Sequence, residues 1–248
     1  MHLPADDLFT LHPGWLQEFA DRYPAAVGVP FTCNSSVELI SKNSASALAR
    51  AGCRGVAIGI ETGNEVLRSK ILNKTVTNDH IRQAAALIKG GGMELTTFNM
   101  LGSPGETLQD ALDTLALNRE IGADHVRVSM ALPVPGTAFE TDAFASGHLA
   151  SDAGRVDTLT DPDSPFREQE QAIANLFYLF RFSVHRPALD RLMRPLLRLP
   201  AAWPLRPMRM STPLMEKRIN NISWVDGLRF YRHVGDPRKK TSNYVTLI

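Results

Sequence analysis

The sequence predicts an α/β fold in which helices connect the strands of a parallel sheet. Three observations support this prediction. Strand-like and helix-like segments alternate at short intervals through residues 1–140. Glycine-rich stretches at residues 59–63 and 101–107 each follow a run typical of a buried strand, and each leads into a helix. After about Gly147 the composition changes, which predicts a separate C-terminal extension.

The first half of the α/β part contains two helix-like and two strand-like segments. The second helix is rich in Ala, Leu and Ser, and Gly52 stands where a helix commonly ends. The second strand is a continuous apolar run, as expected for a strand buried on both faces. Helices are predicted over residues 15–23 and 43–51, and strands over residues 27–31 and 56–60.

The second half repeats the pattern with clearer helix boundaries. Thr77 can cap a helix that the glycines at 90–92 terminate, and Thr107 with Asp110 resembles a capping box. Helices are predicted from Thr77 through Lys89 and from Thr107 to about Ile121, and strands over residues 95–101 and 125–131.

Composition excludes several classes of protein. The net charge is +1, with 44% hydrophobic and 21% charged residues, which fits a globular protein and offers no general argument for nucleic-acid binding. The seven histidines show no metal-type spacing. We expect no signal peptide and no membrane span, because neither a basic start nor a run of eighteen apolar residues occurs. The predicted location is the cytoplasm.

The two glycine-rich stretches place polar groups at strand ends. A carboxylate such as Glu61 at the carboxyl end of a parallel strand stands where α/β proteins bind ligands. The alternative is an acid favoured only by a nearby helix N-terminus. In the second stretch Gly102 and Gly105 allow a tight turn, and the following helix start offers backbone amides. Its alternative is an ordinary connecting loop.

The order and spacing of these motifs resemble the radical S-adenosylmethionine (SAM) proteins, most closely the subgroup that often carries a cobalamin-binding domain. The resemblance covers roughly residues 4–145. It rests on Asp6-Asp7-Leu8-Phe9, Ala51-Gly52-Cys53, Gly59-Ile60-Glu61-Thr62-Gly63-Asn64-Glu65, Leu67-Arg68, Asn73-Lys74, Asn99-Met100-Leu101-Gly102-Ser103-Pro104-Gly105-Glu106-Thr107 and Pro133-Val134-Pro135-Gly136-Thr137.

The resemblance implies a fold and three regions. The fold would be a partial (β/α) TIM-like radical SAM barrel that lacks its first strands, followed by a helical extension. Residues 1–147 would form the C-terminal part of the barrel, residues 148–166 a linker, and residues 167–248 an Arg-rich helical extension.

The resemblance also implies SAM-binding residues. Glu61 would accept hydrogen bonds from the ribose hydroxyls, and Lys74 would contact the SAM carboxylate; the alternative for Lys74 is a solvated loop lysine. The remaining residues would line the amino, adenine and methionine parts of SAM: Asp6, Asp7, Asn99, Leu101, Gly102, Gly105 and, through its backbone, Met130.

One family feature is missing from the sequence. The three cysteines that hold the family's 4Fe-4S cluster do not occur, because Cys33 and Cys53 are the only cysteines. We expect these two not to cluster, Cys33 following a strand at the barrel mouth and Cys53 lying in the core at the opposite end. A truncated or split radical SAM protein, inactive alone, is therefore the leading prediction. The intact protein would use SAM and the cluster on an organic substrate, with cobalamin as the further cofactor that the subgroup resemblance implies.

Two other functions stay open. One is a non-catalytic SAM- or nucleotide-binding module, and the other is an interaction protein that pairs through its open sheet edge with a separate N-terminal half or with itself. Residues 181–209 contain seven arginines and one acid. They either bind a membrane surface or anionic partner, or pack their apolar side on the barrel and leave the arginines in water.

Overall fold

The computed structural model describes residues 7–70, 72–131, 136–137, 139–141, 171–200 and 205. The main elements of these residues are four strands and seven α-helices. They are α1 (Pro13–Ala26), β1 (Phe31–Ser35), α2 (Lys42–Arg50), β2 (Cys53–Glu61), α3 (Glu65–Lys70), α4 (Asn78–Gly90), β3 (Glu94–Leu101), α5 (Leu108–Glu120), β4 (His125–Met130), α6 (Gln171–His185) and α7 (Asp190–Leu196).

The four strands form one parallel sheet in the order β1-β2-β3-β4. Sequential order with a helix between strands is the arrangement that right-handed crossovers produce, and it places the connecting helices on one face. Ile58 and Leu95 on that face are fully buried, whereas Ala57 and Phe98 on the other face are half-buried. The predicted α/β fold with a parallel sheet is confirmed.

The helix starts lie where the sequence predicts them. Thr77 and Thr107 each accept a hydrogen bond from the backbone amide three residues later, which completes a capping box at α4 and at α5. Gly91 ends α4, and Gly122 follows α5 with a φ of 62°. These capping interactions join residues close in sequence, so the sequence alone is enough to predict them.

Helix α5 is fixed to β3 by a buried polar network. The Thr97 hydroxyl donates to Asn118 Oδ1 at 2.6 Å, and Asn118 Nδ2 donates to Asn99 Oδ1 at 2.7 Å. Asn99 Nδ2 donates to the Arg127 carbonyl at 3.0 Å, so the network reaches β4. Buried polar groups that satisfy one another fix a single arrangement of helix and sheet.

The first strand differs from its prediction. The sequence predicts residues 27–31, but β1 is Phe31–Ser35, and Val27 and Val29 are 58% and 42% exposed. Helix α1 continues through Pro24, and Gly28 turns the chain with a φ of 62°. The polar β1 segment becomes a strand because β2 supplies its hydrogen-bond partners, which local propensity does not register.

This shift overturns the expectation that the two cysteines lie apart. Cys33 lies in the middle of β1, and Cys53 begins β2 three residues before the predicted start. Their sulfur atoms are 3.9 Å apart, and the side chains are 1% and 6% exposed. Cys53 is a core residue as predicted, but Cys33 lies beside it and not at the opposite end of the sheet.

Helices α6 and α7 cover the β4 end of the sheet. Arg119 of α5 donates to Asp190 Oδ1 and Oδ2 at 2.6 and 2.8 Å, and its Nη2 donates to the Ser183 carbonyl at 2.6 Å. Met193 and Leu197 are buried. The exposed arginines among the described residues of this region are Arg186, Arg191, Arg194 and Arg198, which fits both alternatives for residues 181–209.

Parts of the predicted organisation lie outside the described residues. They include the linker at 148–166, the strand-end prolines Pro133 and Pro135, and most of the extension beyond Pro200. Within the described part of the chain, every helix is too short or too polar to cross a lipid bilayer.

Replacing Asn118 tests the polar network between α5 and the sheet. Asn118→Ala leaves the buried Thr97 and Asn99 side chains without their partner, so we expect a loss of about 2–3 kcal/mol in the free energy of unfolding. Urea denaturation followed by circular dichroism measures it. Gln109→Ala, an exposed change on the same helix, is the control, and equal shifts for both variants would contradict the assignment.

Candidate functional site

An acid–base pair lies at the carboxyl end of β2. The Lys74 Nζ donates to Glu61 Oε1 at 2.7 Å, and the two side chains are 43% and 21% exposed. Glu61 has a φ of 61°, and the Thr62 amide donates to the Ile60 carbonyl at 2.8 Å, which forms a three-residue turn around Glu61. The strand thus stops at Glu61 and presents its carboxylate to the lysine.

The glycines beside Glu61 make room for the protein itself. A Cβ at Gly59 would lie 2.5 Å from Glu61 Oε1, so the carboxylate folds back across the strand there. A Cβ at Gly63 would lie 2.6 Å from the backbone of Asp113 and Thr114 in α5. The sequence suggests that these glycines admit a ligand; the structure instead assigns them to side-chain and helix packing.

Arg68, in α3, is an interior residue to which the sequence assigns no role. Its side chain is 1% exposed, and it donates to the Ile60, Thr62 and Val76 carbonyls and to Asn78 Oδ1. Burial lowers the pKa of Arg68, while the nearby Glu65 and Glu61 carboxylates raise it. Carbonyl oxygens carry no residue-specific signal, so sequence patterns do not reveal such partners.

The turn between β3 and α5 is closed by a buried carboxylate. Gly102 and Gly105 have φ values of 75° and 73°, and Glu106 Oε2 accepts hydrogen bonds from the Gly102 and Ser103 amides. Glu106 Oε1 is buried without a hydrogen-bond partner in the described part of the chain. The sequence predicts that backbone amides of this turn are available to a ligand. In the structure the Gly102 and Ser103 amides donate to Glu106, and the Thr107 amide donates to Asp110.

Burial is the main cause that raises the pKa of Glu106 to about 7. The amides of Ser103 and Gly102 oppose this effect because they favour the ionised carboxylate, whereas the neighbouring Asp110 adds to it. The hydrogen bonds from Thr107 and Asn64 lower the pKa of Asp110, although burial opposes them. The turn thus holds an ionised carboxylate beside one that titrates near neutral pH.

Three further predicted residues lie on the helix-facing side. Asn99 uses its amide oxygen and nitrogen in the network with α5 and β4. The Leu101 and Met130 side chains are fully buried in the core, and the two residues are partners in the β3–β4 register. The structure therefore brings Glu61 and Lys74 together and turns the side chains of these three residues away from them.

The predicted acids near the N-terminus are placed only in part. Asp6 lies outside the described residues, and Asp7 is exposed. The Phe9 amide donates to the Asn34 carbonyl at 3.1 Å, and the Thr10 and Ser35 hydroxyls are 2.5 Å apart. These contacts tie the segment just after Asp7 to the carboxyl end of β1, which is the sheet edge that also contains Glu61.

The cysteine pair does not fit an iron–sulfur cluster. The chain supplies two thiols, and both are buried among apolar residues between β1, β2 and the helices. The hydrogen bond with the Cys33 thiol lowers the pKa of Cys53, although burial opposes this effect. A cluster needs several converging thiolates, and the described residues hold no group of three metal-binding side chains.

The comparison with protein families supports the motif assignment. Residues 10–117 match the model of the radical SAM superfamily, a stretch that runs from the end of the first turn through most of α5. This part of the chain, somewhat less than half of it, is similar to the radical SAM superfamily. The match includes the Glu61–Lys74 pair, Arg68 and the β3–α5 turn.

Two similar proteins, one curated sequence and one solved structure, define the similarity further. An uncharacterized methyltransferase from Pyrococcus horikoshii is 25% identical over 158 residues, covering 63% of this chain and 34% of that protein. The methyltransferase TsrM from Kitasatospora setae, with cobalamin and a 4Fe-4S cluster bound, has 21% identity and a TM-score of 0.52, covering 61% of this chain and 30% of its own. The chain thus spans about a third of each, and the TsrM likeness confirms the expected fold.

Glu106 predicts a pH dependence of stability. Because its pKa is raised from 4.5 to about 7 in the folded chain, folding favours the protonated acid. Its contribution is fully present below pH 4.5 and is lost as the pH rises to about 7, a change of about 3 kcal/mol. Urea midpoints measured across this pH range for the native chain and for Glu106→Gln test it.

The glutamine variant keeps an oxygen for the two amides and cannot ionise. We expect its stability to change less with pH than that of the native chain, and to exceed it above pH 7. Glu18→Gln, at an exposed carboxylate paired with Arg22, is the matched control and should keep the native pH profile. Parallel pH profiles for the native chain and Glu106→Gln would exclude a buried ionisation at Glu106.

Proposed function

We propose that this chain binds SAM at the carboxyl edge of its sheet, with Glu61 and Lys74 as the principal contacts. The observation that carries the proposal is the half-exposed ion pair of these residues at the end of β2, inside the region that matches the radical SAM family. A strand-end carboxylate and a lysine offer the two kinds of charge that a ribosyl amino acid requires.

The chemistry of the pair fits the ligand. A carboxylate accepts two hydrogen bonds from a vicinal diol, as in the ribose of SAM, and an ammonium group pairs with the amino-acid carboxylate. Asp7, or Asp6 beside it, would suit the amino group of the ligand by charge. When bound, SAM supplies a methyl and an adenosyl group on a sulfonium centre.

The chain would not perform radical chemistry alone. Its two thiols do not fit the cluster that supplies the electron in radical SAM proteins, so the cluster ligands would belong to another polypeptide or to a longer form of this one. We propose that the complete assembly is a SAM-dependent methyltransferase. The support is the name of the Pyrococcus relative and the TsrM fold, with cobalamin as its further expected cofactor.

SAM binding to the full chain tests the proposal directly. We expect isothermal titration calorimetry to show one site, and Glu61→Gln and Lys74→Met each to weaken it by about tenfold or more, since each removes a charge-assisted contact. Glu120→Gln, which breaks the exposed ion pair between Glu120 and Arg82, should leave the affinity unchanged. The absence of SAM binding, or equal losses in all three variants, would refute the site.

A second candidate is an interaction role, favoured by the apolar surface around β1. This strand ends the described sheet, and large apolar residues on the segments that flank it are exposed. They are Leu8, Leu11, Trp15, Val27 and Val29. Exposed apolar residues beside the last strand of a sheet form a surface at which chains can associate.

Sedimentation of the full chain tests this second role. We expect concentration-dependent self-association, which Val27→Asp should reduce because a charge on the apolar surface opposes its burial. Val66→Asp is the matched control, since Val66 is 56% exposed and Val27 58% exposed. A monomer at all concentrations, or equal effects of the two variants, would exclude self-association through this surface.

A further inference from the structure

The starting point is the backbone conformation of Glu61. Its φ of 61° belongs to the left-handed region, which costs free energy for any residue with a Cβ. Glycine would adopt this conformation freely, and glycines stand two residues away on either side. The strained position is therefore occupied by a residue whose side chain has a use, and some interaction has to hold it there.

The Arg68 guanidinium binds the carbonyls on both sides of the strained residue. Its Nε donates to Ile60 O at 3.1 Å, and its Nη2 donates to Thr62 O. Two carbonyls that flank one residue and bind the same planar cation fix the peptide groups between them. The Glu61 backbone is therefore held from the interior, while its carboxylate remains partly exposed.

The same arginine holds the segment that carries Lys74. The Lys74 amide donates to the Arg68 carbonyl at 3.0 Å, and Arg68 Nη1 donates to Val76 O at 2.7 Å. Arg68 Nη2 also donates to Asn78 Oδ1 at 2.7 Å, at the first turn of α4. The segments that carry Glu61 and Lys74 are thus both bound to one residue, Arg68, through its side chain and its backbone carbonyl.

Stability alone is a poor reason for this arginine. A buried cation loses its hydration, and well-packed apolar residues at such positions are often equally or more stabilising. What the arginine provides and an apolar side chain cannot is four directed bonds to two segments. Such bonds specify geometry, which matters where two charged groups have to face one ligand.

We propose that Arg68 is a positioning residue that holds Glu61 in its left-handed conformation beside Lys74. The two side chains then have their binding positions before a ligand arrives. The inference rests on the proposed binding of SAM for the identity of the ligand. Its structural half, the coupling between Arg68 and the Glu61 backbone, does not depend on that ligand.

The first experiment measures this coupling in the full chain. Urea midpoints are compared for the native chain, Arg68→Lys, Glu61→Gly and the double variant. Because glycine removes the strain that Arg68 opposes, we expect Arg68→Lys to lower the midpoint less in the Glu61→Gly background. Additive effects would overturn the proposal. If Arg68→Lys alone does not fold, recovery of a cooperative transition in the double variant supports it, and failure to recover overturns it.

The second experiment tests the position of the Glu61 carboxylate by comparing the affinities of two nucleosides. Adenosine carries the vicinal hydroxyls and 3′-deoxyadenosine lacks one of them, so the ratio of their affinities reports the contact with Glu61. We expect Arg68→Lys to bring this ratio close to that of Glu61→Gln. General loosening would weaken both nucleosides equally and leave the ratio unchanged, which would overturn the positioning role.

Arg82→Lys is the matched control, because Arg82 lies at the surface in pairs with Glu120 and Asp79. It should change neither the coupling nor the nucleoside ratio. If the native chain binds neither SAM nor adenosine, the proposed function fails. The urea coupling then still decides whether Arg68 holds Glu61, so the two failures are distinguishable.

Discussion

The parallel hydrogen-bond ladder on both sides of β2 is the constraint on which the rest of the molecule depends. This strand pairs with β1 along one edge and with β3 along the other, and its register is interrupted only near its two ends. Because all the strands run in one direction, their carboxyl ends and the following turns lie at a common edge. The register shift between Gly59 and Glu61 ends the regular pairing of β2 with β3. The Glu61–Lys74 pair lies just beyond this point.

Helix α5 converts that ladder into a layered structure through polar contacts. Asn118 joins it to β3, Thr114 accepts the Gly63 amide at the end of β2, and Arg119 reaches Asp190 in α7. Apolar contacts alone would allow a helix to slide or rotate on a sheet. Hydrogen bonds from three residues of α5 prevent such movement. The bond between Thr114 and the Gly63 amide also fixes the residues that follow Glu61.

Local signals in the sequence predicted much of this architecture. The capping residues Thr77 and Thr107 and the apolar runs of β2 and β3 are recognisable because their partners are a few residues away. Strand β1 was predicted four residues too early, because Val27 and Val29 resemble a strand more than the polar segment that pairs with β2. The contact between Cys33 and Cys53 depends on how β1 pairs with β2, so an incorrect position for β1 also hides this contact.

The site was predictable to the extent that its residues have a characteristic type and position. The strand-end rule selects Glu61, and the resemblance selects Lys74, which the structure places 2.7 Å away. Arg68 and Glu106 escaped because their partners are backbone carbonyls and amides, which every residue possesses. Asn99 is predicted to line the SAM site, but the alternation of side chains along β3 turns its side chain toward α5.

The ion pair at the end of β2 has a consequence for selectivity. Glu61 and Lys74 neutralise each other, so the edge of the sheet carries no strong local charge before a ligand arrives. A ligand that offers only hydroxyls would bind Glu61 and leave Lys74 unpaired, and a ligand that offers only a carboxylate would bind Lys74 and leave Glu61 unpaired. A nucleoside that carries both a vicinal diol and a carboxylate can replace both partners at once, so neither charged group is left without a hydrogen-bond partner. If the pair binds SAM as proposed, it competes with the ligand from within the protein and would favour ligands that carry both groups.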